Sequence, residues 1–262
     1  MTVTHPFLDH PGPIAFAHRG GSDLQPENTL AAFTAAVALG YRYLETDVHA
    51  TADGVLIAFH DDRLDRVTDR RGLVAELTWS EVSVARVGGT EPVLRFEELL
   101  EAFPEARLNI EPKHDAAVGP LIEAVRSARA LDRVCIGSFS DRRLAEVRRG
   151  LGPGACTSLG QAEVAGLRAA AWGLPGFADR LRRRPGLCVQ IPVRGYGVPL
   201  ADTSLIKTSH DLGLPVHVWT VNHAADMHRL LDLGVDGLMS DRPGLLREVL
   251  EQRGEWPALT TG

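Results

Sequence analysis

Short apolar runs rich in β-branched residues alternate with helix-forming segments along nearly the whole chain. That alternation constrains the fold more than any other feature. Extended runs are read at 14–17, 41–49, 55–60, 107–111, 134–138, 155–158, 187–191, 216–221 and 237–240. Between them lie helical segments at 96–102, 116–130, 142–149, 163–171, 200–212, 224–233 and 244–252, and a first one opened by Pro26-Glu27-Asn28-Thr29, running to Leu39 and stopped by Gly40. Repeated strand–helix units build an α/β fold on a parallel sheet, because a parallel strand needs a crossover before its neighbour.

Nine extended runs are one too many for an eight-stranded barrel. The junction Thr51-Ala52-Asp53-Gly54 resolves the count. Asp-Gly favours a tight hairpin, so 41–49 and 55–60 are antiparallel partners and eight barrel strands remain. The predicted fold is a TIM (β/α)8 barrel with a short insertion after the β-hairpin that follows the second strand. The 262 residues suit one such barrel, so 1–262 is read as a single domain with its core at about 14–250. An open doubly wound sheet is the alternative, but no Gly-rich dinucleotide or P-loop motif supports it.

Composition excludes several classes. Three cysteines, Cys135, Cys156 and Cys188, form no Cys-x-x-Cys pair, which argues against a disulfide scaffold or zinc ribbon and for a reducing compartment. They sit in or beside apolar strands and are read as core. The net charge of -6 disfavours a nucleic-acid partner. No apolar stretch reaches the length of a transmembrane helix, and residues 1–13 lack the apolar core of a signal peptide. The chain is therefore read as soluble and cytoplasmic. Its only lysines are Lys113 and Lys207, against a background of arginine.

In a TIM barrel, catalytic groups lie at the C-terminal ends of the strands. This sequence accumulates titratable residues there. Glu45 and Asp47 are two apart on one strand and share a face. Glu111 ends the next barrel strand, giving three hard oxygen donors that suit one divalent cation such as Mg²⁺, Ca²⁺ or Mn²⁺ better than Zn²⁺. The competing reading pairs these acids with Arg42 or Arg107. His18 and His60 form the candidate proton-transfer pair, since the hairpin returns His60 to the acidic strand. Arg19 and Lys113 add positive charge suited to an anionic phosphate. Gly20-Gly21 permits close backbone approach. Asn28 is placed to donate to a phosphate or simply to cap the first helix. His217 alternates with Trp219, and either could face the mouth or the helices. His49 lies toward the turn and earns little expectation of a role. No nucleophile elbow of the Gly-x-Ser-x-Gly type is present.

Taken together, His18-Arg19-Gly20, Pro26-Glu27-Asn28-Thr29, Glu45-Thr46-Asp47-Val48, Thr51-x-Asp53-Gly54 and His60-Asp61 resemble, in order and spacing, the glycerophosphodiester phosphodiesterase family. Glu111-Pro112-Lys113, Ser138-Phe139, Trp219-Thr220-Val221-Asn222 and Gly234-Val235-Asp236-Gly237 continue the resemblance across about 14–250. The family is similar in fold to phosphatidylinositol phospholipase C barrels. The resemblance implies metal-dependent hydrolysis of a glycerophosphodiester to sn-glycerol 3-phosphate and an alcohol. It implies His18 and His60 as general acid and base, with Glu45, Asp47 and Glu111 holding the cation. Arg19 and Lys113 would stabilise the phosphoryl group. Asn28 and Trp219 are read beside them as further substrate contacts. The family's small insertion falls at about 61–95, covering one side of the mouth. Ser240-Asp241 stands where Thr-Asp is commoner, and His49 where another polar residue is usual; neither removes a catalytic group.

The implied partner is a small glycerophosphodiester, with at most transient membrane contact. Should Trp172, Leu174 and Phe177 be exposed at the mouth, they could accept an acyl chain, giving a lysophospholipase D; otherwise 169–172 is the buried end of a helix. A catalytically dead binding barrel would need a missing ligand or histidine, and every position is filled.

Overall fold

The computed structural model describes residues 5–182, 186–195 and 197–257. Strands β1 (Ile14–His18), β2 (Tyr43–Ala50) and β3 (Leu56–Ala58) precede a short hairpin, β4 (Arg86–Val87) and β5 (Glu91–Pro92). Next come β6 (Arg107–Pro112), β7 (Val134–Ile136), β8 (Cys156–Thr157) and β9 (Val189–Pro192). A second short hairpin, β10 (Arg194–Gly195) and β11 (Val198–Pro199), precedes β12 (Val216–Trp219) and β13 (Gly237–Ser240). The helices are α1 (Leu30–Ala38), α2 (Trp79–Val82), α3 (Phe96–Ala102), α4 (Val118–Ser127), α5 (Asp141–Leu151), α6 (Gln161–Ala171), α7 (Phe177–Leu181), α8 (Thr203–Asp211), α9 (Ala224–Asp232) and α10 (Pro243–Gln252).

Eight parallel strands neighbour one another in the order β8-β7-β6-β2-β1-β13-β12-β9. The two outer strands meet. Ser158 bridges Cys188 in parallel, while Leu187 N donates to Thr157 O and Leu159 N to Cys188 O, both at 2.8 Å. The sheet thus curls round on itself with helices outside, the (β/α)8 barrel that the alternation predicts. The ninth run behaves as the Asp-Gly turn requires: β3 is antiparallel to β2, with Val48 opposite Ala58. Gly54 takes the positive φ of 84° that the turn needs.

Alternation along the strands separates two cores. Ala15, Ala17, Leu44, Leu108 and Ile110 pack with the helices. Phe16, Tyr43, Cys135, Cys156, Cys188 and Met239 fill the barrel interior. All three cysteines are buried and free, as their apolar setting implies. The N-terminal segment plugs the floor. Phe7 is fully buried, its ring meets Phe16 and Tyr43, and its carbonyl accepts from Tyr43 Oη at 2.8 Å. The opposite, C-terminal end of the barrel is left for chemistry. Between β3 and α3, the insertion carries a small core of its own around Phe59, Leu64, Val74, Val82 and Val87.

Candidate active site

Strand register assembles the acids. In the parallel ladder His18 lies opposite Glu45, and Asp47 lies opposite Glu111. Laterally paired residues of a parallel sheet point to the same side, so all four side chains converge at the barrel mouth. The wall buries Glu45 and Asp47 almost completely. Burial, and then the Asp47 carboxylate, push the Glu45 carboxyl up to about 7. Glu111 is likewise raised, chiefly by burial, although Lys113 opposes it.

Each histidine is anchored through Nδ1 by a carboxylate. His18 Nδ1 lies 2.6 Å from Asp241 Oδ1, and His60 Nδ1 lies 2.6 Å from Asp61 Oδ1. That leaves Nε2 of both rings as the nitrogen available for chemistry; on His18 it sits 3.7 Å from Glu45 Oε2. Burial alone would lower the His18 pKa, but Glu45 and the Asp241 hydrogen bond outweigh it and hold the ring above its ordinary value. His49, buried on the same face of β2 one alternation past Asp47, contacts the His60 carbonyl through Nε2 at 3.1 Å and so braces the segment that carries His60.

Two cations sit among the acids. Lys113 Nζ lies 2.8 Å from Asp47 Oδ1 and 2.9 Å from Glu111 Oε2. Arg19 Nε is 3.0 Å from Asp47 Oδ2, yet Asp47 Oδ2 is buried without a hydrogen bond. The ammonium stands between Asp47 and Glu111, so among the described residues no three ligating side chains are already arranged round a metal. The donor chemistry nonetheless fits a hard divalent cation. Three carboxylates share one face, Glu45 and Asp47 buried and Glu111 half-buried; Glu45 and Glu111 are pushed toward protonation, and Asp47 Oδ2 is ion-paired with Arg19 but accepts no hydrogen bond.

The loop after β1 is shaped for close approach. Arg19, Gly20 and Gly21 all take positive φ, of 53°, 83° and 92°. The Arg19 backbone N donates to Glu45 Oε2 at 3.1 Å. A Cβ on Gly20 would lie 2.9 Å from the backbone of both Ala32 and Phe33. Asn28 does not cap α1; Thr29 does, accepting from Ala32 N at 3.2 Å. Asn28 is buried, its Oδ1 accepts from Thr46 Oγ1 at 2.8 Å, and its Nδ2 has no partner. Thr46 alternates with Glu45 and Asp47 on β2, and the Asn28 backbone N donates to Arg19 O at 2.9 Å. His217 lies inside the barrel against Phe16, so Trp219, two residues on, faces the mouth. There it meets Phe139 edge-on, with ring centroids 5.5 Å apart.

Sequence reasoning quoted Glu27, Asp61, Asn222 and Asp241 only within motifs and gave them no role, and it did not name Arg66. Asn222 Nδ2 donates to Asp241 Oδ2 at 2.7 Å and its Oδ1 accepts from Asp241 N at 2.9 Å. Asp241 is separated from His18 by 223 positions. The pairing was nonetheless implicit in the predicted fold, because closing an eight-stranded barrel makes its last strand the neighbour of its first.

Comparison with known proteins gives the family and the fold. Residues 18–245 match the Glycerophosphoryl diester phosphodiesterase family. A Mycobacterium tuberculosis protein named "Probable glycerophosphodiester phosphodiesterase 2" is 42% identical over 252 residues, covering 95% of both chains. The crystal structure of an Agrobacterium tumefaciens glycerophosphodiester phosphodiesterase is similar at 25% identity with a TM-score of 0.71, covering 89% of this chain and 98% of that one. An Oleispira antarctica phosphodiesterase, solved with the product sn-glycerol-3-phosphate, shares the fold at 23% identity and a TM-score of 0.76, covering 92% of this chain and 97% of that one.

Proposed function

The chain belongs to the glycerophosphoryl diester phosphodiesterase family, and on that premise we propose that it hydrolyses glycerophosphodiesters to sn-glycerol 3-phosphate and an alcohol, with His18 and His60 transferring the protons. The observation that carries this reading is the pair of imidazoles, each held through Nδ1 by a carboxylate at 2.6 Å beside a buried acidic cluster. A carboxylate on Nδ1 fixes the tautomer and ring orientation and leaves Nε2 for proton transfer.

Glu45, Asp47 and Glu111 would hold a divalent cation, Mg²⁺, Ca²⁺ or Mn²⁺, which supplies positive charge against the phosphate when bound. Arg19 and Lys113 contribute fixed charge to the same group. One histidine takes the proton of the glycerol 2-hydroxyl as that oxygen bonds to phosphorus. The other gives its proton to the alcohol oxygen as its bond to phosphorus breaks. Water then opens the resulting cyclic phosphate with the two roles exchanged, and each ring returns to its starting state. Trp219 and Phe139 supply an apolar wall to the mouth, and Asn28 secures the loop that carries Arg19, its backbone N donating to Arg19 O at 2.9 Å.

His18→Ala and His60→Ala should each abolish glycerophosphocholine hydrolysis with the fold intact; full activity in either variant contradicts the assignment. The cation is tested without turnover. Titrating Mg²⁺, Ca²⁺ or Mn²⁺ into chelator-treated protein should raise the melting temperature by mass action, and Asp47→Asn should remove that rise. A melting temperature indifferent to all three cations contradicts the three-carboxylate site.

A second reading keeps the chemistry and enlarges the substrate. Trp172 is 62% exposed and Leu174 50%, so 169–172 is not a buried helix end. Ser204 Oγ donates to Ala171 O at 2.6 Å, which ties this turn to the start of α8, the end of that helix that follows the C-terminal end of β9. Such an apolar turn favours contact with an acyl chain and hence lysophospholipase D activity. Trp172→Ala would then reduce turnover of lysophosphatidylcholine selectively; an equal effect on glycerophosphocholine, or none, rejects this reading. Among the described residues no helix is long and apolar enough to cross a membrane.

A further inference from the structure

The insertion contributes one side chain that touches both halves of the site. Arg66 ends the 3-10 turn Leu64–Arg66, and its guanidinium lies between two carboxylates. Nε and Nη2 donate to Asp61 Oδ2 at 2.5 Å and Oδ1 at 3.0 Å. Nη1 and Nη2 donate to Glu27 Oε2 at 3.0 Å and Oε1 at 2.7 Å. Both carboxylates have a second partner. Asp61 Oδ1 holds His60 Nδ1 at 2.6 Å, and Glu27 Oε1 accepts from Arg19 Nη1 at 3.0 Å. Arg19, Glu27, Arg66, Asp61 and His60 therefore form one unbroken chain of charge-assisted hydrogen bonds. We propose that Arg66 is a positioning residue that fixes His60 relative to Arg19, so that the insertion is a working part of the site and not only its cover.

The proposal rests on the roles of His60 and Arg19 argued above. Its physical basis is geometric. A guanidinium is a rigid planar fork, and here it engages two carboxylates bidentately at once; each must therefore lie in a set direction from the other. Without it, Glu27 and Asp61 would face each other as like charges. Arg66 also holds Asp61 down at about 2, its hydrogen bond being the largest cause, so Asp61 stays an anion able to orient His60. The Arg66 side chain is 49% exposed, so the pairs contribute little to stability and their consequence is orientation. A lysine keeps the charge but is a point donor that cannot span both carboxylates.

The test uses the full chain loaded with divalent cation, with glycerophosphocholine as substrate. Arg66→Lys should lower kcat/KM roughly 10- to 100-fold, the range that partners of oriented histidines carry, while melting with the wild type. Arg66→Gln combined with Asp61→Asn should be no slower than the slower single variant, because both act on His60 through one chain. The proposal is overturned if Arg66→Lys stays within about twofold of wild type, if its loss merely tracks its unfolded fraction, or if the two single losses multiply in the double variant. Those outcomes are distinct from failure of the underlying reading, in which the wild type releases no glycerol 3-phosphate or His60→Ala keeps full activity.

Discussion

At the residue scale, the site is a set of acids made useful by what stands beside them. Glu45, Asp47 and Glu111 could be chosen from the sequence because strand spacing puts them on one face. The groups that hold the histidines could not be chosen that way, because Asp241 reaches His18 from the last barrel strand to the first and Arg66 arrives at Asp61 from an insertion with no periodic pattern. Asp241 raises the His18 pKa, so its removal has a definite sign. Asp241→Asn should lower that pKa, and the limb of the kcat/KM pH profile that reports His18 should move to lower pH. A limb that stays in place or moves upward contradicts the dyad. His49 was given little expectation of a role, yet its bond to the His60 carbonyl makes it a brace. A backbone contact of this kind leaves no mark in sequence spacing.

At the element scale, regular pieces were legible and irregular ones were not. Most predicted strands and helices recur within a few residues, because apolar alternation and helical periodicity report directly which face is buried. The run at 55–60 shortens to Leu56–Ala58 because the chain leaves the ladder to enter the insertion. The insertion's 3-10 turns, α2, α7 and the two short hairpins depend on tertiary contacts and caps too local for a periodic signal. The β1–α1 loop is the element on which the site most depends. Gly20 has positive φ and no room for a side chain against α1. Gly20→Ala should therefore lower the melting temperature and reduce kcat/KM together, by displacing Arg19 and the backbone N–H that Glu45 accepts. Wild-type stability in that variant would show that the loop tolerates a Cβ.

At the scale of the whole molecule, Phe7 seals the floor and the acids gather at the mouth, so the barrel carries its chemistry at one end only. The net charge of -6 accordingly says little about the ligand: in the proposed site Arg19, Lys113 and the cation would make the local field favourable for a phosphate. The chain is expected to unfold as one domain, with the insertion and barrel losing structure in a single calorimetric transition; two resolved transitions would divide it. The central claim is tested most directly by incubating the purified chain with Mg²⁺, Ca²⁺ or Mn²⁺ and a panel of glycerophosphodiesters, with glycerol 3-phosphate measured by a coupled assay. The account predicts glycerol 3-phosphate release that a chelator stops and added cation restores. No release from any diester by folded, cation-loaded protein would contradict it.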